Sequence, residues 1–477
     1  MTCASSENPA ELIAKLRPVI GRGVLRLVPT IGLGLIFAGP LPAGADGAFP
    51  DEMSIHFPAS APHRILLATN FGLAVSEDDG ATWRYSCEPY VTGSQAYANL
   101  YQVNADGAVL AISGLLTRSA DVGCTWTAAA GDYVLGTNVT DAFPDPNDAS
   151  FVLATVNNAA SGSAILSSHD GGRTFGPPLY ASPDILRGIE IARSARGLFY
   201  ATLFHPAAGG DPGRAMLLRS TDSGVHWSTT VIAAPPGTEP RIAAVDPLDG
   251  NIVYLRLLSL SSDGIAITTD GGATVPPPAL MLPGEFLSSF LRAEDGTLYA
   301  GTAAGRLYVR RPGETTFAMR TGPQLRCLGQ RPGTSRIFAC GNMFVDSFSV
   351  GYSDDGARTF QPLMKLTQLS GLLTCPSVQN ACAAHWAVLQ QTLGIGAPGN
   401  PDGGGSPPPS NPPANRGESH CSSAGPFSLL LLIASVRKLR RRSTRRQGTS
   451  PGPCPSANST KSAPPARASG GKRRSCA

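Results

Sequence analysis

The chain has 477 residues, of which 15% are charged, and it carries 54 Gly and 42 Pro. Its formal net charge of +4 hides a division: residues 46–436 hold 22 basic and 32 acidic side chains, while 437–477 hold 12 basic and none acidic. An acidic body excludes nucleic acid as its partner, and a charged fraction well under the usual figure of about 25%, with so many turn formers, suits short strands rather than long helices.

In chain order, Lys15, Arg17, Arg22 and Arg26 precede a mostly apolar stretch from Leu27 to Pro42, followed by Ala43-Gly44-Ala45. Basic lead, apolar run and small-residue cleavage site in that order predict a secretory signal peptide over 1–45. The apolar run is broken by Pro29 and Pro40, and it is shorter than the roughly 20 residues that a spanning helix needs.

An eight-residue phrase then recurs through the body. It is Ser76-Glu-Asp78-Asp-Gly80-Ala-Thr82-Trp83, returning at 119–126 (Asp121, Gly123, Trp126), 168–175 (Asp170, Gly172, Phe175), 220–227 (Asp222, Gly224, Trp227) and 268–275 (Asp270, Gly272). Two worn copies follow, one at 310–317 that keeps only Thr316-Phe317, and one at 353–360 with Asp355 and Phe360 but Ala357 at the glycine position. The third positions are separated by 43, 49, 52, 48, 42 and 43 residues. A period in the 40s, held seven times, marks a β-propeller.

The phrase resembles the Asp-box of the bacterial-neuraminidase repeat family. Its chemistry is that of a self-satisfied hairpin turn: the Asp accepts local backbone N–H groups, the Gly takes a positive φ, and the aromatic opens a strand while burying a large apolar area. Six repeated aspartates fit a shared structural need better than a metal or catalytic site, which is built once, and the resemblance places the boxes on the blade periphery. Between boxes each repeat reads as four short strands, with Asp106-Gly107, Asp249-Gly250 and Asp295-Gly296 as hairpin turns. The expected fold is therefore all-β: a seven-bladed propeller of four-stranded antiparallel blades over 46–393, with rim insertions at 157–164 and 205–214.

Past the last box, Ser370–Thr374 is expected to supply an inner strand that helps close the ring. Val378, Cys382, Trp386, Leu389 and Leu393, spaced by three or four, predict an amphipathic helix over 377–393, lying as a cap on the ring. Residues 394–420, rich in Gly, Pro and Ser, read as a disordered linker. Cys421, the apolar run Phe427–Val436 and the basic cluster Arg437–Arg442 together resemble the C-terminal sorting signal of myxobacterial surface proteins, although His420 stands where that signal has Gly. The resemblance implies a membrane tether over 421–442, processing or lipid attachment at Cys421, and a location at the cell surface or outside the cell. A basic disordered tail, 443–477, ends the chain.

Six of the ten cysteines fall in the propeller and helix, an even number that suits disulfides in an exported chain. Proximity in sequence favours Cys327–Cys340, Cys375–Cys382 and Cys87–Cys124, out of 15 possible pairings for six cysteines.

No zinc spacing, phosphate loop or nucleophile elbow occurs, and no metal or cofactor is expected. Sialidases of the Asp-box family carry Arg-Ile-Pro near the first blade, where this chain has Arg64-Ile65-Leu66, so none of their catalytic residues is carried over. Xyloglucanase-type enzymes place paired aspartates between two rings, and this chain has one. Photosystem-assembly factors and sortilin-type receptors use the ring to hold a partner. A glycosidase needs two carboxylates roughly 5–10 Å apart, for which Glu190, Glu239, Glu285 and Glu294 are the candidates outside the boxes. Three of the four tryptophans, Trp83, Trp126 and Trp227, belong to boxes, and Trp386 to the helix, leaving few platforms for sugars. The reading is a monomeric, non-catalytic binding or scaffold module for a protein or glycan on the axial face. The alternative is a glycosidase- or sialidase-like hydrolase using an axial pocket.

Overall fold

The computed structural model describes residues 52–93, 100–158 and 160–396. The signal peptide, the linker from 397 onward, Cys421 with its apolar and basic neighbours, and the basic tail lie outside the described residues. The rest forms seven four-stranded antiparallel sheets, each made of four consecutive strands. Blade 1 spans 52–87, blade 2 100–128, blade 3 138–182, blade 4 185–232, blade 5 239–283, blade 6 287–321 and blade 7 327–364. The inner strands are Glu52–His56, Leu100–Val103, Asn138–Asp145, Ile185–Ile191, Glu239–Val245, Leu287–Arg292 and Cys327–Gln330. Each touches the inner strand of the next blade, and the last touches the first, so the ring is closed.

The second strands are the apolar ones because they are covered on both faces. Ile65–Thr69 and Ile337–Cys340 are buried at every position. Inner strands are only partly covered, since one edge faces the axis: Glu239–Val245 alternates little and stays half-buried through most of its length. Because successive strands are antiparallel, the inner-to-second turns and the boxes share one end of the ring. The second-to-third hairpins and the crossings between blades share the other. These are called here the box side and the crossing side.

No strand is exchanged between the first and last blades, so closure rests on other contacts. Phe57 meets Phe338 with ring centroids 4.6 Å apart, Gly329 lies against Ile55, and Arg331 of blade 7 is ion-paired to Asp79 of blade 1. The chain then leaves blade 7 and returns to blade 1 as a strap. Ser370 and Leu373 N–H groups donate to the carbonyls of Trp83 and Tyr85, and Tyr85 N–H donates to Gly371, each at 2.9 Å. Residues 370–374 thus run parallel to the outer strand of blade 1, and the expected inner strand is corrected: the seven inner positions are already filled by the blades themselves.

The predicted helix is present as Pro376–Leu393, with Val378, Cys382, Leu389 and Leu393 buried. It packs on the outer strand of blade 1, Arg84–Cys87, with Trp386 facing Tyr85 at 6.1 Å. It is therefore a strap on the rim, not a cap over the axial face. Two disulfides fasten it there, Cys87–Cys382 and Cys124–Cys375, with Cα–Cα distances of 5.5 and 5.7 Å. The expected pairs Cys87–Cys124 and Cys375–Cys382 are overturned, because the chain end folds back over 250 residues to blades 1 and 2. Cys327–Cys340 forms as expected, across one hairpin. The insertion at 157–164 is mostly strand, since the second and third strands of blade 3 extend to Asn158 and Gly162, whereas 206–213 is a loop between strands.

Opening the strap by replacing Cys87 and Cys382 with Ser is expected to cost roughly 2–5 kcal/mol of unfolding free energy, read by denaturant titration. Non-reducing peptide mapping should recover Cys124 linked to Cys375 and not to Cys87.

Candidate functional site

Six of the seven repeated phrases make one hydrogen-bond pattern at the turn from third to outer strand. In blade 3, Ser168 Oγ donates to Asp170 Oδ1 at 2.7 Å and accepts Gly172 N–H at 2.9 Å. Thr174 N–H donates to Asp170 Oδ1 at 2.9 Å, and Thr174 Oγ1 to Asp170 Oδ2 at 2.6 Å. The same bonds hold Asp78, Asp121, Asp270 and Asp355, and in blade 4 His226 takes the Thr position and bonds Asp222 at 2.6 Å. Two successive residues have positive φ, as in Asp79 at 59° and Gly80 at 92°, and Ala357 adopts 57° without a glycine's freedom. Trp83 Nε1 donates to Gly80 and Trp227 Nε1 to Gly224, at 2.9 and 3.0 Å, while Trp126 and Phe360 are half-buried and Phe175 is buried. Blade 6 replaces the pattern with Glu314, whose carboxylate accepts Arg311 N–H at 2.8 Å.

These bonds consume both oxygens of each aspartate. The backbone N–H of His226 and the hydroxyl of Thr274 head the groups holding Asp222 and Asp270 down at about 2. Around Asp170, partial desolvation is outweighed by the Thr174 and Ser168 bonds, and its carboxyl also falls to about 2. Carboxylates so low and so fully bonded neither shuttle protons near neutrality nor offer free oxygens to a ligand. The boxes also sit at the third-to-outer turn, remote from the inner strands.

The axis is different. Register with the second strands puts Asp141, Gly188, Arg241 and Ser289 at one level, opposite Thr155, Thr202, Arg256 and Gly301. Glu190 stands two residues deeper, level with His56 and Gln102. Asp141 reaches across to blade 4, where its Oδ2 accepts Ile189 N–H at 3.0 Å, while Oδ1 accepts Ala142 N–H at 2.8 Å. Glu190 repeats the move toward blade 5, where Oε1 accepts Val245 N–H at 2.8 Å. Both are half-buried. Desolvation therefore dominates. It lifts Asp141 to about 7 against the pull of the two N–H groups and of Arg241, and Glu190 to about 8, with the neighbouring Asp141 charge adding to the rise. Burial lowers His56 to about 4, so the axial histidine is neutral, with Ser54 Oγ 2.9 Å from its Nε2.

Of the acids singled out in the sequence, only Glu190 belongs to this cluster. Glu239 pairs with Arg187 at 2.8 Å, Glu285 with Arg306, and Glu294 Oε1 accepts Gly333 N–H at 2.8 Å. Asp141 carries no signal in the sequence, because nothing in Asn138-Val-Thr-Asp141 separates it from a loop acid. Among the described residues no helix is long and apolar enough to cross a membrane, and no group of three or more acidic, histidine or cysteine side chains is placed to hold a metal.

No family model matches the chain, and no curated protein does. Among solved structures, YCF48 from Cyanidioschyzon merolae is similar at a TM-score of 0.42 and 15% identity, over 63% of this chain and 94% of its own. A structure titled YCF48 bound to D1 peptide gives 0.33 and 15%, over 48% and 67%. The GH74 xyloglucanase from Xanthomonas campestris gives 0.37 and 16%, over 66% and 52%.

Because Asp141 and Glu190 hold protons that the unfolded chain has released above about pH 4, the folded state binds the extra protons between that pH and about 8. His56, neutral when folded, opposes this up to about pH 6.5, so unfolding free energy should fall as pH rises from there to about 8. Glu190→Gln should flatten the slope in chemical denaturation run from pH 5 to 9, and a wild-type profile rising toward pH 8 would contradict the assignment.

Proposed function

We propose that the protein is an exported binding module whose ring docks a partner protein on its crossing side. The observation that carries this is the placement of exposed apolar side chains. Leu115, Leu260, Phe344 and Val345 lie in second-to-third hairpins, and Tyr133, Leu135 and Phe286 in crossings between blades. Leu100 opens an inner strand at the same end, whereas among the described residues only Val225 and Leu248 are exposed large apolar residues at the box side, and Val231, Met281, Met319 and Val388 lie along the outer rim. Apolar side chains gathered at one end of a ring are the composition of a protein-recognition face. Export is supported by three disulfides among the described residues. In this reading the chain stays at the surface, tethered near Cys421, or is released.

A hydrolase is the second reading, and the paired axial acids with raised pKa values favour it. Against it, both Asp141 oxygens and one of Glu190 are tied to backbone N–H groups, and no Trp lies on an inner strand.

The test uses the exported protein against secreted proteins of the same cells and a glycan array, with hydrolysis of polysaccharides followed in parallel. Leu260→Asp combined with Phe344→Asp should abolish protein capture while leaving stability within roughly 0.5 kcal/mol, as exposed substitutions do. Turnover of a glycan that is lost in Asp141→Asn would replace this reading with the hydrolase.

A further inference from the structure

On the box side, where blade 7 meets blade 1, a cleft of about 680 Å³ opens, a size typical of small-molecule sites. One wall is the hairpin that joins the inner and second strands of blade 7, from Arg331 to Arg336. The other carries His63 and Asp79 of blade 1.

The carboxylates that line this cleft have no free oxygen. Asp79 gives one to Arg331 Nη1 and the other to His63 Nδ1, and Asp354 gives both to Arg336, at 2.7 and 2.8 Å. The donors are in surplus. The Arg331 guanidinium lies over the rings of Phe57 and Phe338, 5.6 and 5.9 Å from their centroids. Its Nε and Nη2 are buried and, among the described residues, have no hydrogen-bond partner. That edge of a guanidinium is the fork that grips a carboxylate through two parallel bonds. Leaving charged donors desolvated and unpaired is costly, and the hairpin residues 332–335 beside them are all exposed.

We propose that this cleft binds a carboxylate-bearing ligand of sugar-acid size, its carboxylate gripped by the Nε–Nη2 edge of Arg331. The two arginines and two aspartates of the lining cancel, so a singly charged group leaves less uncompensated charge there than a doubly charged phosphate. The ligand reaches the fork as the exposed hairpin shifts, and Asp79, held on Nη1, leaves the Nε–Nη2 edge to it. The site is separate from the crossing-side face and does not rest on it.

The test is calorimetric titration of the full chain with sodium glucuronate and sodium acetate, set against sodium sulfate and sodium phosphate at fixed ionic strength. Glucuronate should bind. Arg331→Lys, which keeps the charge and removes the fork, should weaken it on the order of 10- to 100-fold. Asp79→Asn removes a negative charge beside the guanidinium and should tighten it. Ser335→Glu puts a negative charge on the exposed hairpin and should weaken glucuronate about tenfold without shifting the melting temperature, which keeps the question decidable if the Arg331 variant fails to fold. Absence of carboxylate binding, wild-type affinity in Ser335→Glu, or tighter binding of sulfate or phosphate would each overturn the proposal.

Discussion

The structure depends on closing a ring whose first and last blades share no strand. Each blade is a sheet of consecutive strands, so the backbone ladder gives cohesion within blades and, among the described residues, only isolated bridges between them, such as Gly114 with Val139. Polar ties across the junctions fill part of that gap. Arg118 Nε donates to Gly171 O between blades 2 and 3 at 2.9 Å, Asp141 and Glu190 span the next two junctions, and Arg292 meets Asp246 at 2.8 Å between blades 5 and 6. Ser288 Oγ, donating to Leu325 O at 2.6 Å, joins blades 6 and 7. The last junction receives more: an aromatic pair, an ion pair, and a strap bonded covalently to blades 1 and 2. The chain-entropy view of cross-links says why the strap is placed there, since loops of 295 and 251 residues are among the largest that this fold can close, and the entropy removed from the unfolded chain grows with loop length.

Within a blade the outer hairpin is the weak point, because the outer strand has a partner on one side only and its turn faces water. The repeated phrase answers this locally. Ser, Asp and Thr satisfy the turn's own N–H groups, and the closing aromatic covers the apolar layer behind it. Blade 6 shows that the requirement is the bonding and not the residue identity, for Glu314 supplies the acceptor in a turn that has lost the aspartate.

Much of this was legible. Repeats report local physics, and a turn that must satisfy itself from eight residues writes the same letters each time, so blade number, strand order and the place of the boxes follow from spacing. The closing helix was legible from the spacing of its buried residues. The partner of that helix was not. Cys382 and Cys375 find Cys87 and Cys124 only because the ring returns the chain end to its start, and nothing local to either cysteine records the return. The same holds for Asp141, whose neighbours in sequence are unremarkable and whose character comes from burial in the closed ring and from Ile189 and Arg241 on other blades.

The axial acids also show how one pair of groups can suit cohesion better than chemistry. An inner strand has a free edge, and its inward N–H groups must be met by side chains or solvent. Asp141 and Glu190 meet two of them from the preceding blade, and the price is a pair of carboxyls held near neutral charge. A catalytic pair requires its oxygens to be open to substrate and its protons to move at small cost; here three of the four oxygens are committed to the neighbouring backbone. The proposed function accordingly falls at the ends of the ring, where hairpins and crossings vary from blade to blade and the seam between first and last blades breaks the repeat. Exposed apolar side chains at one end and an under-bonded arginine at the other lie where the sequence is least periodic, because a residue repeated in every blade serves the ring and a residue found once is free to serve a ligand.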